Sequence, residues 1–130
     1  MRFLQPPDWP RPKGYANGVA ARGSLVFVSG TVGWNAHQKF ASGDFVAQVR
    51  QALQNIVAIL DQAKAKPEHI ARMTWYVQDK DEYLAAAKEM GAVYRAIMGP
   101  HYPAMTVVEV SGLIEANARV EIEVTAVVPD

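Results

Sequence analysis

Two hydrophobic periods alternate along the chain. Leu25-Val26-Phe27-Val28-Ser29-Gly30 is a run of β-branched and aromatic residues closed by glycine, which predicts a strand that is apolar on both faces. From Asp44 the spacing changes: Phe45, Val49, Leu53, Ile56, Leu60 and Ala63 recur every three or four residues and make one stripe of a long helix. Asp44 can cap its first turn, and Lys64-Ala65-Lys66 before Pro67 can close it with cations that suit the helix dipole. Ile70 to Val77 predicts a second strand. Asp79 with Glu82 has the spacing of a capping box and opens a second helix, with apolar positions Tyr83, Leu84, Ala87, Met90, Tyr94 and Ile97 and a stop at Gly99-Pro100. Two more strands, Ala104 to Val110 and Val120 to Val127, flank a polar turn from Ile114 to Asn117. The arm 1–14, with Pro6, Pro7, Pro10 and Pro12, is expected to be irregular, and Gly33 to Gly43 to be a loop or short hairpin arm.

The order strand, helix, strand, helix, strand, strand predicts a single α/β (α+β) domain over 1–130, a sandwich with two helices on one face of a mixed sheet. Two helices cover only one face, yet Leu25 to Val28, Met73 to Val77 and Thr106 to Val110 offer apolar side chains to both. An uncovered apolar face marks an interface, so an obligate homo-oligomer is expected. In the last strand Val120, Ile122 and Val124 should meet the helices while Glu121, Glu123 and Thr125 face the other way. A neighbour burying that second face would desolvate a carboxylate, favour its protonated form and equip it for acid–base work. At a rim, the same glutamates would instead pair with Arg119 or a lysine.

Composition narrows the chemistry. The chain has 130 residues, the size of one domain, and its 50% apolar and 20% charged residues exclude a disordered segment. Thirteen basic residues balance thirteen acidic ones, which argues against a nucleic-acid partner because phosphate binding needs a basic excess. The absence of cysteine removes thiol nucleophiles, disulfides and thiolate metal sites. His37, His69 and His101 are scattered without ligand spacing, no phosphate-binding or dinucleotide glycine pattern occurs, and Ser24, Ser29, Ser42 and Ser111 lack a nucleophile-elbow context, so no metal site is expected. No window reaches the ~20 apolar residues of a membrane helix and the first residues do not resemble a signal peptide, so a soluble cytoplasmic protein is expected.

Pro103-Ala104-Met105-Thr106-Val107-Val108-Glu109-Val110-Ser111-Gly112-Leu113, then six residues, then Val120-Glu121-Ile122, resembles the C-terminal signature of the reactive intermediate deaminase (Rid, YjgF) family. Lys13-Gly14-Tyr15-Ala16-Asn17-Gly18-Val19, Val28-Ser29-Gly30-Thr31 and Tyr76-Val77-Gln78-Asp79 agree in order and spacing. The resemblance implies a chorismate-mutase-like fold, a homotrimer with ligand clefts between subunits, and hydrolysis of reactive enamines and imines to keto acids and ammonia, with no metal or organic cofactor. Tyr15, Ser29 and Gly30 match cleft-lining positions, and Glu121 matches the glutamate that activates water. Met105 occupies the position of the family's substrate-binding arginine, Val107 a small or cysteine position, and Gly91 an asparagine position. Loss of the arginine removes a charge-assisted carboxylate contact worth roughly 1.5–3 kcal/mol.

Met105 and Val107 share one side of their strand, with Trp34 or Trp75 as neighbours, which predicts a cleft suited to a neutral or aromatic ligand. Backbone groups at Met105 and Thr106 would add polar contacts, and Arg22, Arg72 or Arg119 could supply a displaced cation. The expectation is a homotrimer that binds a small metabolite and hydrolyses a C=N bond through Glu121. A non-catalytic binding or chaperone-like trimer is the alternative. The endoribonuclease or translation-inhibitor role of the family's older names fits the neutral charge poorly.

Overall fold

The computed structural model describes residues 1–130. In chain order the elements are β1 (Arg2–Leu4), β2 (Gly18–Ala20), β3 (Ser24–Val32), α1 (Phe45–Gln62), β4 (Ile70–Val77), α2 (Lys80–Ala85), α3 (Ala87–Met98), β5 (Ala104–Glu109) and β6 (Val120–Val128). The main sheet has the order β3-β6-β4-β5 and is antiparallel except for the β4–β5 pair, which the α2–α3 crossover requires to be parallel. The mixed sheet expected from the element order is therefore present, with α1 and α3 against one face. The stripe Phe45, Val49, Leu53, Ile56 and Leu60 is buried against Val28, Met73, Trp75, Val77, Val120, Ile122 and Val124 from the sheet and Met90, Val93, Tyr94 and Met98 from α3. No helix is long and apolar enough to cross a membrane.

Several local expectations are corrected. The N-terminal arm is not wholly irregular: Arg2–Leu4 pairs antiparallel with Gly18–Ala20. The partner is distant in sequence, and the prolines fall between the paired segments, where Gln5 Nε2 donates to the Trp9 and Pro10 carbonyls at 3.0 and 3.3 Å and Asn17 donates to Gln5 Oε1 at 2.7 Å. Asp44 caps α1, accepting from the Ala47 N–H at 2.9 Å. The helix nevertheless ends at Gln62, so Lys64 (φ 55°) and Lys66 lie beyond it and Pro67 opens a separate 3₁₀ turn. The second predicted helix is two: Asp79 caps α2 through the Asp81 and Glu82 N–H groups, but the chain breaks step at Ala86 (φ −94°, ψ 5°) before α3. Glu82 does not close the capping box. Its carboxylate turns to Arg119 Nε at 2.8 Å, a tertiary pair that outcompetes the local bond.

The face away from the helices also differs from expectation. Phe27 and Leu25 on β3 are 72% and 59% exposed, and Val108 on β5 is 41% exposed. Between them, however, β4 presents Arg72, Thr74 and Tyr76, because Met73, Trp75 and Val77 all turn to the helices. β6 adds Glu121, Glu123 and Thr125, as its alternation predicts. The uncovered face is thus apolar at its margins and polar in its middle.

One buried polar residue fastens the layers. Gln48 on α1 is 1% exposed; its Nε2 donates to the carbonyls of Ser42 (3.0 Å) and Asn117 (2.9 Å), and its Oε1 accepts from the Arg119 N–H at 2.8 Å. Gly33 lets the end of β3 pass over it, since a Cβ there would lie 2.7 Å from Gln48 Cα. Gln48 thereby ties the loop before α1 to the turn that launches β6. Gln48→Leu, which keeps the volume but strands these backbone partners, is expected to cost about 2–4 kcal/mol. Urea denaturation with an unchanged slope checks this, and a loss below about 0.5 kcal/mol would dismiss the role.

Candidate functional site

The parallel register opposes Met73 to Met105 and Trp75 to Val107, so Met105 and Val107 point to the helix side of the sheet. β5 is the edge strand, and beyond it only the segment around Ala16 approaches, bridging Ala104 with the Ala16 N–H donating to the Pro103 carbonyl at 2.9 Å. Edge, segment and helices enclose a cavity of about 330 Å³ walled by Tyr15, Trp75, Tyr83, Met90, Tyr94, Tyr102, Met105 and Val107, with Lys13 and Gly91 also lining it. Tyr94 stacks on Tyr102 at 5.4 Å, and Tyr83 meets Trp75 edge-on at 6.4 Å. Burial raises the pKa of Tyr83, and burial with the neighbouring Tyr102 raises that of Tyr94 further, so both phenols keep their protons around neutral pH. The Tyr94 hydroxyl donates to the His101 carbonyl at 2.8 Å.

A second cluster lies on the open face. β3 bulges between Val28, opposite Val124, and Thr31, opposite Ile122, so Ser29 and Gly30 together occupy the length of one β6 residue. The Glu121 carboxyl lies over Gly30, where a Cβ would come within 2.9 Å of Glu121 Cδ. Glycine is what admits the carboxylate. Beside it the Tyr76 hydroxyl donates to Glu123 Oε1 at 2.5 Å, and this bond, with lesser contributions from burial and the charges of Glu123 and Glu121, raises the Tyr76 pKa. Neither glutamate pairs with Arg119, which is held by Glu82, so the rim pairing with Arg119 is not formed within the chain. Arg22 is exposed in the turn after β2. Arg72 remains on the open face, adjoining Ser29 and Glu123 on one side and Ala104 and Thr106 on the other.

Within one chain the expected site residues fall into separate places. Tyr15, Met105 and Val107 share the cavity, and Tyr15 and Met105 also border a hollow with Arg72 and Thr106; Ser29, Gly30 and Glu121 share the open face; Thr106 lies on the open side of β5. Glu121 and Met105 are on opposite faces, two strand spacings apart (about 10 Å) and, since Glu121 opposes Tyr76 and Met105 opposes Met73, offset by about another 10 Å along the strands. Trp34 belongs to neither group: its carbonyl accepts from Asn55 Nδ2 at 2.8 Å and its ring meets Phe40 at 5.8 Å, so Trp75 is the indole beside Val107. His101 Nε2 lies 2.6 Å from the Ile70 carbonyl and His69 Nδ1 accepts from the Lys66 N–H at 3.0 Å, both structural contacts. The sequence reading missed the walls Tyr83, Tyr94 and Tyr102 and the pair Tyr76–Glu123. Only Glu123, in the alternation of β6, carried a local signal.

The contact between Gly30 and Glu121 makes a specific expectation. Gly30→Ala should destabilise by about 1–3 kcal/mol, and adding Glu121→Ala should recover most of that loss, because the intruding methyl meets that carboxylate. Strictly additive effects in the double-mutant cycle would refute the contact. Tyr94 sets a pH dependence: its folded pKa lies above the unfolded value of 10.0, so stability is complete below that pH and falls as pH rises through and beyond it. Tyr94→Phe should flatten the loss, measured as urea midpoints at about pH 9 and about pH 11.

Residues 10–128 match the family model described as Endoribonuclease L-PSP. A RutC family protein of Aquifex aeolicus is 35% identical over 130 residues, covering 98% of this chain and 99% of its own. The 2-iminobutanoate/2-iminopropanoate deaminase of Escherichia coli is 32% identical over 116 residues, 87% of this chain and 86% of that protein. The crystal structure of YyfB from Yersinia pestis, a protein of unknown function of the conserved Rid family, superposes with a TM-score of 0.82 at 27% identity, covering 98% of each chain. With its fold and nearly its whole length matched, the chain belongs to the Rid/YjgF family, the family of the Endoribonuclease L-PSP model.

Proposed function

We propose that the chain forms a homotrimer of chorismate-mutase-like subunits, whose clefts bring the apolar cavity of one subunit opposite Ser29, Gly30 and Glu121 of the next, and that it binds a small metabolite there and hydrolyses a C=N bond. The observation that carries this reading is the division of the site: two half-sites occupy opposite faces of one sheet, and each is incomplete. The exposed Phe27 and Leu25 beside the carboxylate support burial of that face by a neighbour. The named imine deaminase of Escherichia coli supports the reaction class.

Glu121 serves as general base, taking a proton from water as its oxygen attacks the imine carbon. Return of that proton to nitrogen completes the carbinolamine, whose hydroxyl proton then passes through Glu121 to the same nitrogen as the C–N bond breaks, releasing ammonia and the carbonyl product; an enamine tautomerises to the imine first. Tyr15 and Ser29 hydrogen-bond the ligand, and the outer edge of β5 at Met105 and Thr106 offers unpaired backbone groups. Neither a metal nor an organic cofactor enters the scheme. Met105 at the arginine position favours a second reading, a trimer that binds a ligand without turning it over. The balanced charge weighs against ribonuclease action.

Sedimentation velocity at micromolar concentration should give a trimer, and ammonia release from a panel of enamines and imines should fall about 10²–10⁴-fold in Glu121→Ala. Equal release by both proteins would remove Glu121 from the mechanism. Ligand binding without release would select the second reading, and a monomer would dissolve the cleft.

A further inference from the structure

Three hollows meet at Tyr15, and none of them holds an acid. The cavity beside β5 is bordered by Lys13, the hollow beside the N-terminal arm by Arg11, and the hollow on the open side of β5 by Arg72, while no aspartate or glutamate lines any of the three. In a chain with thirteen basic and thirteen acidic residues, this is a local segregation of charge. All three cations are exposed and none is paired, since the single ion pair of the chain joins Arg119 to Glu82. Local backbone devices put them there. Gly14 takes φ 78°, a left-handed turn that suits glycine, and it lines the cavity together with its neighbours Lys13 and Tyr15. A bulge between Ile70 and Arg72 shifts the phase of β4, so Ile70 is buried while Arg72 emerges on the open face. Nine of the twelve residues lining the cavity are hydrophobic, and at about 330 Å³ it is roughly twice the size of an apolar cavity known to hold benzene.

We infer that the cavity and its rim take an amphipathic monoanion, with an apolar or aromatic body lodged against Tyr83, Tyr102 and Met105 and a carboxylate held at the mouth by the Lys13 ammonium. This rests on the reading of that cavity as half of the ligand cleft, and it names the substrate class: an imine or enamine with a carboxylate at one end and a bulky apolar group at the other. It replaces the neutral ligand expected from the thioether at position 105. Lys13 is the anchor because it alone of the three cations lines the cavity itself. Tyrosine faces attract cations, but a cationic ligand would meet Lys13 with no carboxylate in the lining to offset the repulsion. An aromatic body gains from the tyrosine rings and from the thioether, which packs well at a ring edge. The ion pair forms at an exposed ammonium, so it sets the sign of the charge preference while the apolar body supplies most of the affinity.

The test uses the whole protein and four probes: 3-phenylpropanoate, its amide, 3-phenylpropylamine and acetate. In titration calorimetry at low ionic strength, 3-phenylpropanoate should bind about three- to fivefold more tightly than the amide, and the amine should be the weakest of the three aryl probes. Acetate, which lacks the apolar body, should bind at least about tenfold more weakly than 3-phenylpropanoate. The preference for the acid should shrink at about 0.5 M NaCl. Lys13→Gln should bring acid and amide level, and Lys13→Glu should reverse the order of acid and amine. Lys13 is exposed, so both variants should keep the wild-type urea midpoint. Wild-type protein that binds the amide or the amine as tightly as the acid, acetate that binds as tightly as 3-phenylpropanoate, or a preference for the acid that survives Lys13→Gln would overturn the inference. Ammonia release from small imines in preference to those with an apolar body and a carboxylate would overturn it too while leaving C=N hydrolysis standing. Probe binding as expected with no ammonia from any imine would uphold the ligand class and end the hydrolase reading.

Discussion

The two-residue period of the β-strand is the constraint on which this architecture turns. In β4 and β6 every second side chain is committed to the helices, and burial of Met73, Trp75, Val77, Val120, Ile122 and Val124 leaves no freedom to shift register, since a slip of one residue would drive the glutamates into the core. With the core face decided, the remaining positions are decided as well: Arg72, Thr74, Tyr76, Glu121 and Glu123 must share the opposite face. The carboxylates and the apolar cavity therefore lie on opposite sides of the sheet.

Local devices keep each half in order. The bulge at Ser29–Gly30 adds a residue to β3 and clears space for the Glu121 carboxyl. Gln48 secures the start of β6 from behind, through the Arg119 N–H, and Arg119 in turn holds Glu82. These contacts join residues far apart in sequence, so the acidic face is positioned by the helix layer beneath it. The cavity side depends on the parallel β4–β5 pair, which aligns Val107 with Trp75 and Met105 with Met73.

The relatives share the frame of this chain, and one of them is named as an imine deaminase. The walls of the cavity give this chain its particular chemistry. A thioether and an aromatic lining make this wall largely apolar, with Lys13 as the one charged side chain at its border.

Residue order alone was enough for features governed by near neighbours. The 3.6 period of α1, its Asp44 cap, the span Ile70–Val77 and the inward and outward sides of β6 all depend on contacts within a few residues. Motif spacing brought Glu121, Ser29 and Gly30 forward as candidates, which lie together at the bulge. Folding had to decide the rest, because the partners are remote: the pairing of the N-terminal arm with Gly18–Ala20, the diversion of Glu82 from its cap to Arg119, the polar middle of the open face, and the choice of Trp75 over Trp34. Separations of this kind leave no periodic trace, and they decide which pocket a side chain helps to build.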